Sequence, residues 1–445
     1  GYSLERRMPT LATHKSPEVR AKVYSLASEY KFPSLVEAAL GEIRSSRAGE
    51  ANEAIEPAVQ YALEHVDDGA GLARRLLGHP NQTVSRSAVE AMVHYPEIAT
   101  GLITREWIEE SAASPDAHRR VLAAAAVAVH GDADTRALSG LLHDSNIEVA
   151  KVAARTAGRL QNRTYLDGLL HMLAFSRLRP FGVDALASFG DRVVGTLADV
   201  LLDLATPVSV RRQVPRVLRS IPTQRSVDVL LSALNQPDLT IRDAALRALN
   251  TLRETKPKLN YGQESLTQLI LNEARYYYEM SAALAPFKEA HETPVARLLH
   301  ETLETRLRGA IARLFRLLGL RYPPREIYAA YLAVNRKKTD EYTAAIDFLD
   351  NVLDRELKRY VMPLLDEDAH TAQTARDLFG VAETDAAGAI RSLLRSGDNW
   401  LVACAVATAG EMQLPGLRSE IEALASRSGT DVAPVAQKAL LQLAA

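Results

Sequence analysis

Two His-Glu pairs, His291-Glu292 and His300-Glu301, are the side chains in this sequence best suited to hold a metal ion. Imidazole nitrogen with carboxylate oxygen is a donor set for iron or zinc. The pairs stand nine positions apart, and nine steps of about 100° put them on opposite sides of a helix. They cannot converge on one ion, and no His-Glu-x-x-His accompanies them. Phosphate chemistry fares no better: Gly69-Ala70-Gly71 reads as a loop entering a helix, not a glycine-rich cradle. A nucleophile elbow is absent. The single cysteine, Cys404, lies between Ala403 and Ala405, a place for a small buried hydrophobe rather than an activated thiolate. It excludes an intrachain disulfide and an all-cysteine zinc site, and it fits a reducing compartment. The histidines at 79, 94, 118, 130, 143 and 171 fall near turns or helix ends, where capping explains them. The sequence thus predicts no catalytic, cofactor or metal site.

What remains is the chemistry of binding. Tyrosines and basic residues collect between positions 256 and 380, and Tyr and Arg are favoured at the centres of protein interfaces. The expected docking set is Arg306, Arg313, Arg316, Tyr322, Tyr328, Tyr331, Lys337 and Lys338. The plainer reading is that arginine stems cover an apolar stripe while tyrosines fill an irregular core. On the docking reading, Arg313→Glu with Arg316→Glu weakens partner binding with little change in melting. A second basic series, Arg155, Arg159, Arg177, Arg179, Arg211, Arg212, Arg216, Arg219, Arg242 and Arg247, could line a surface for nucleic acid or form ion pairs along a ridge. The formal net charge of −2 disfavours nucleic acid as the main partner.

These side chains are positioned by a repeat. Anchors at Val84, His118, Val149, Phe181, Val210 and Ile241 are spaced by 34, 31, 32, 29 and 31 residues. Four positions later stand Ala88, Leu122, Ala153, Ala185, Val214 and Ala245; eight positions later stand Met92, Ala126, Ala157, Phe189, Leu218 and Leu249. Apolar residues at i, i+4 and i+8 mark one helix face. The frame recurs at Val19/Val23/Ala27, Leu401/Ala405/Ala409 and Val432/Ala436/Leu440. Turn residues such as Asn81, Asp116, Asn146 and Asp238 precede the anchors, and a leucine-rich helix precedes each turn. The unit is a helical hairpin. At 47% hydrophobic and 24% charged, the chain is too apolar for disorder, and no apolar run reaches the roughly 18 residues that span a bilayer.

Gln236-Pro237-Asp238-Leu239-Thr240-Ile241-Arg242-Asp243-Ala244-Ala245 and Ser16-Pro17-Glu18-Val19-Arg20 resemble the HEAT-repeat signature, an acidic turn followed by Val-Arg and an Ala-rich helix. The resemblance implies a polar ladder of that acid and arginine along the stack, interrupted here because Ser85 and Ala150 replace the arginine. Between Lys256 and Gly380 the frame is lost, and long helices are expected over Gln263–Leu284, Pro294–Leu318, Arg325–Val334 and Glu341–Leu353, with Gly319 as a C-cap. The strings Arg313–Leu320, Ile346–Leu353 and Arg359–Leu365 resemble the soluble helical region of bacterial ADP/ATP-translocase-like membrane transporters.

The expected fold is all-α, a right-handed α-solenoid of HEAT-like hairpins with a long-helix insertion. Its expected parts are 1–65 with one HEAT-like unit, 66–255 of repeats, a non-repeat block at 256–380, and repeats again at 381–445. The expected function is a non-catalytic scaffold without cofactors, binding a protein partner or an adjoining domain of the same polypeptide. The translocase resemblance implies a cytoplasmic setting, or the cytoplasmic face of the inner membrane, with membrane association only through a part not in this sequence. The chain opens on Gly1 without an initiator methionine, and is expected to be a piece of a longer protein. HEAT-like families also include DNA-repair solenoids, lyases and hydroxylases. Those with iron hold it by His-Glu pairs in register across repeats, which the spacing here does not reproduce.

Overall fold

A helix starts where its first N–H groups find an acceptor, and the turn residues of the repeat supply one. Side-chain oxygens of Asn81, Asp116, Asn146 and Asp238 accept from the amides of Thr83, His118, Glu148 and Thr240 at 2.8, 3.0, 2.9 and 2.7 Å. Ser16 and Asp398 cap their helices in the same way, through Val19 and Trp400. The computed structural model describes residues 6–49, 52–99, 101–131, 135–287, 293–336, 339–365, 371–427 and 431–444. Every regular element among them is helical.

The packing divides into two compact units, Gly1–Val193 and Val194–Ala445. In the first, helices Pro17–Glu29, Ile55–His65, Gln82–Met92, Ala117–His130, Ile147–Leu160 and Arg179–Ser188 each pack on the next. Shorter helices, among them Val36–Ser45, Gly69–Leu77, Arg105–Ala112 and Leu166–Met172, complete the hairpins. In the second unit the corresponding row is Val214–Arg219, Leu239–Thr255, Pro294–Arg321, Asn399–Glu411 and Val432–Leu443. Each unit is therefore an all-α solenoid of helical hairpins.

The burial follows the frame. Val23, Ala88, Leu122, Ala153, Ala185, Val214, Ala245, Ala405 and Ala436 are all 5% exposed or less, so the position four after the anchor always faces a neighbouring helix. Small residues there let backbones approach. A Cβ built on Gly158 would lie 3.1 Å from Ala185 Cα, and one on Gly410 would lie 2.9 Å from Ala439 Cα.

Three details depart from the expected frame. The cap at Asp116 puts its helix one residue out of register with the His118 anchor, since the other capped anchors lie three positions after the cap. Val121 to Val127 is buried throughout, so apolarity cannot fix the phase of this helix and the cap does. Ile55–His65 is a further stacking helix that the frame skips. Tyr61 is fully buried in it, donating to the Phe32 carbonyl and accepting from Leu35 N at 3.1 Å, where most of the other stacking helices carry alanine. Gly319 is not a C-cap: the helix runs on to Arg321, and Asn250 Oδ1 lies 3.1 Å from where a Cβ would stand. Asn250 Nδ2 also donates to the Arg316 carbonyl at 3.1 Å, so the glycine serves a close crossing of two helices.

The long-helix block keeps the hairpin although it loses the frame. Gln263–Leu284 pairs with Pro294–Arg321, and the latter lies between Leu239–Thr255 and Asn399–Glu411 in the row. Its 28 residues give about 42 Å of helix, enough to carry polar contacts besides the apolar stripe. Pro324–Arg336, Arg355–Leu365 and Thr371–Phe379 are additions packed on this hairpin, and Thr339–Val352 packs on the first two of them.

The polar ladder falls four residues after the cap. Arg20 reaches Glu42 through Nε at 2.7 Å and Nη2 at 2.9 Å, and Arg120 reaches Asp144 at 2.7 and 3.1 Å. Each also donates to two carbonyls before its own cap, those of His14 and Lys15 or of Ser114 and Pro115. Arg211 does the same work with Leu201 O and Gln236. At Ser85 the hydroxyl meets His118 Nε2 at 3.0 Å instead. Burial depresses the basicity of that histidine.

Candidate functional site

The expected docking residues divide into those the fold consumes and those it presents. Arg313 is consumed. Only 3% exposed, it donates through Nε to Glu273 Oε1 at 2.8 Å, with Nη2 2.6 Å from the same oxygen and Asp243 3.9 Å away. Its guanidinium lies over the Tyr276 ring at 5.5 Å. Desolvation works against its charge, but Glu273 outweighs that and holds the proton more firmly than usual. Nearby Arg242 forms no ion pair among the described residues, and burial lowers its basicity despite the charges of Glu273 and Asp243. Arg313 therefore leaves the docking set: the Arg313→Glu/Arg316→Glu pair strikes the interior of the second unit.

Arg306 is also used internally. Its Nε donates to Asp398 Oδ2 at 2.5 Å, tying the long helix to the residue that caps Asn399–Glu411. Tyr322 donates to Asp354 Oδ2 at 2.8 Å and accepts from Asp354 N at 3.1 Å, closing the end of the long helix. Arg316 is half-buried. Tyr328 and Tyr331 come together: their rings stack at 6.3 Å, and Tyr331 leans on Phe315 at 5.5 Å. Tyr328 is 60% exposed, a large aromatic presented on a buried base. Lys337 and Lys338 lie outside the described residues, as does His291-Glu292. His300 Nδ1 sits 3.2 Å from the Phe287 carbonyl and Nε2 3.4 Å from Glu304. Cys404 is 3% exposed and burial pushes its thiol up, as a packing residue requires.

The second basic series divides in the same way. Arg211 is buried and Arg242 half-buried, Arg179 donates to Leu173 O at 2.9 Å, and Arg155 faces Glu90 at 3.4 Å. Arg212, Arg216, Arg219 and Arg247 are exposed and line one groove of about 560 Å³ in the second unit. Their spacing was legible in the sequence. Their freedom was not, because it depends on which carboxylates the fold brings near.

No protein-family model matches the chain, and no curated protein matches it. Solved structures similar to it include an engineered protein, 15% identical over 99% of both chains, with a TM-score of 0.28. Another is Kap95p from a complex with RanGDP, 13% identical over 99% of this chain, with a TM-score of 0.31. This chain spans 62% of the length of that one. At such scores neither likeness bears on function.

Proposed function

We propose that the chain is a non-catalytic scaffold that binds a protein partner, or another domain of its own polypeptide, through the face that carries Tyr328. The observation that supports this is the Phe315–Tyr331–Tyr328 row, in which a rigidly based ring stands 60% exposed. An aromatic held by its neighbours loses little side-chain entropy on binding, which is why such residues act as anchors. The proposed setting is the cytosolic region of a transporter-like membrane protein. No helix among the described residues is long and apolar enough to cross a membrane.

A photo-cross-linking residue at position 328, in cells of the source organism, is expected to capture one discrete protein or the adjoining domain. The same residue at Glu109, an exposed site in the first unit, is expected not to. Equal capture from both positions, or none from 328, counts against the reading. Tyr328→Ala is expected to weaken association with the captured species about tenfold or more and leave melting unchanged.

A further inference from the structure

Arg216 and Arg219 stand three apart on the Val214–Arg219 helix, which puts them on one side of it, and Arg212, in the turn just before that helix, lines the same groove. Arg247 faces them across the groove from the Leu239–Thr255 helix, and Ala244 and Ala248 form the floor. No carboxylate lines this groove, and none of the four guanidiniums is ion-paired among the described residues. Neighbouring Arg211 differs: it is 3% exposed and fully engaged by Leu201 O and Gln236. Four like charges are thus gathered over a small-residue floor with no carboxylate of the described residues paired to them.

We infer that this groove binds a short acidic segment of a partner protein, a run of Asp or Glu in extended conformation. The inference rests on the scaffold reading but uses a groove that Tyr328 does not line. The turn residue Arg212 and the Val214–Arg219 helix that follows it make a row on the order of 10 Å long, and an extended strand advances about 3.3 Å per residue. A stretch of four or five residues therefore brings several carboxylates within reach of the row, and each guanidinium can take one in a forked pair. The alanine floor leaves room for the segment's backbone. Nucleic acid fits less well. Binding a duplex draws on about six to ten phosphate contacts, single strands draw on aromatic stacking, and the groove offers four cations and no aromatic side chain.

The test is fluorescence anisotropy of labelled hexaglutamate with the full chain, competed by an oligothymidylate of matched charge. Saturable binding is expected, weakened at least about tenfold by Arg216→Glu with Arg247→Glu. Ala244→Glu is expected to match that loss, by placing a competing carboxylate on the floor. Raising salt from about 50 to about 200 mM is expected to weaken binding several-fold. Arg216→Gln with Arg247→Gln, which removes charge at exposed positions without reversing it, is expected to weaken binding with an unchanged melting curve. Variants that bind as wild type does, a wild-type chain that does not bind hexaglutamate, or an oligothymidylate that binds more tightly than the peptide would each overturn the inference. The scaffold reading is decided separately, by cross-linking from position 328.

Discussion

Arg313→Met costs about 3–5 kcal/mol of stability in the second unit, a loss of roughly 2–4 °C in melting temperature per kcal/mol for a unit of this size. The cause is the carboxylate left behind. Glu273 is 6% exposed, and the Arg313 guanidinium meets it at 2.8 and 2.6 Å. Without that cation it stays buried with no direct ion pair among the described residues, the charge of Arg242 reaching it only at longer range. Glu273→Met leaves buried Arg313 with only Asp243, 3.9 Å away, and is also expected to destabilise the unit. Arg313→Met with Glu273→Met removes both charges, and much of the loss returns because two apolar side chains fill the space without desolvating an ion. The coupling measured by thermal melts of this cycle is therefore large. Additive losses would mean that the two residues do not act as a pair. Arg316→Glu alone, at a half-buried position, shifts melting little.

Gly410→Leu is the second large effect, and it probes the stacking itself. An ideal Cβ on Gly410 falls 2.9 Å from both Ala439 Cα and Ala439 Cβ, and 2.5 Å from Gln442 Oε1. The glutamine can swing away, but the Ala439 backbone belongs to Val432–Leu443, the helix against which Asn399–Glu411 packs. Those two helices must separate, opening the layer around Ala405, Ala409 and Ala436, all fully buried. Overpacking of this kind costs about 1–3 kcal/mol or more. Gly416→Leu is the control: nothing lies within 4 Å of its Cβ position. Equal melting temperatures for the two variants would show that the close approach at Gly410 is not needed.

The fold was legible where the chemistry is local. Capping depends on a side chain two or three residues away, so Asn81, Asn146 and Asp238 marked helix starts in the sequence and do so in the structure. The column four residues after each anchor was legible because one face of a helix repeats regardless of what covers it. Elements set by distant partners were not. Ile55–His65 escaped because its stacking face carries Tyr61, whose hydroxyl is satisfied by backbone near residues 32 and 35. Gly319 read as a helix end because the residue that requires it, Asn250, lies in another helix. The same limit governs the surfaces. Composition singled out the Tyr/Arg block and the basic series, yet an arginine's fate rests on carboxylates far along the chain. Arg313 finds Glu273 and Arg306 finds Asp398, whereas Arg216 and Arg247 find none among the described residues.

Hydrogen exchange resolved along the chain tests the hairpin stack most directly. Slow exchange is predicted to recur at intervals of about 31 residues, in the buried stretches around Ala88, Ala153 and Ala185 in one unit and Val214 and Ala245 in the other. Fast exchange is predicted between them, at the turns before Asn81, Asn146 and Asp238, because helix openings follow the layers that neighbouring hairpins bury. Slow exchange without that recurrence, or strong protection at the turns with none at the alanine columns, contradicts the stack and every surface assigned on it.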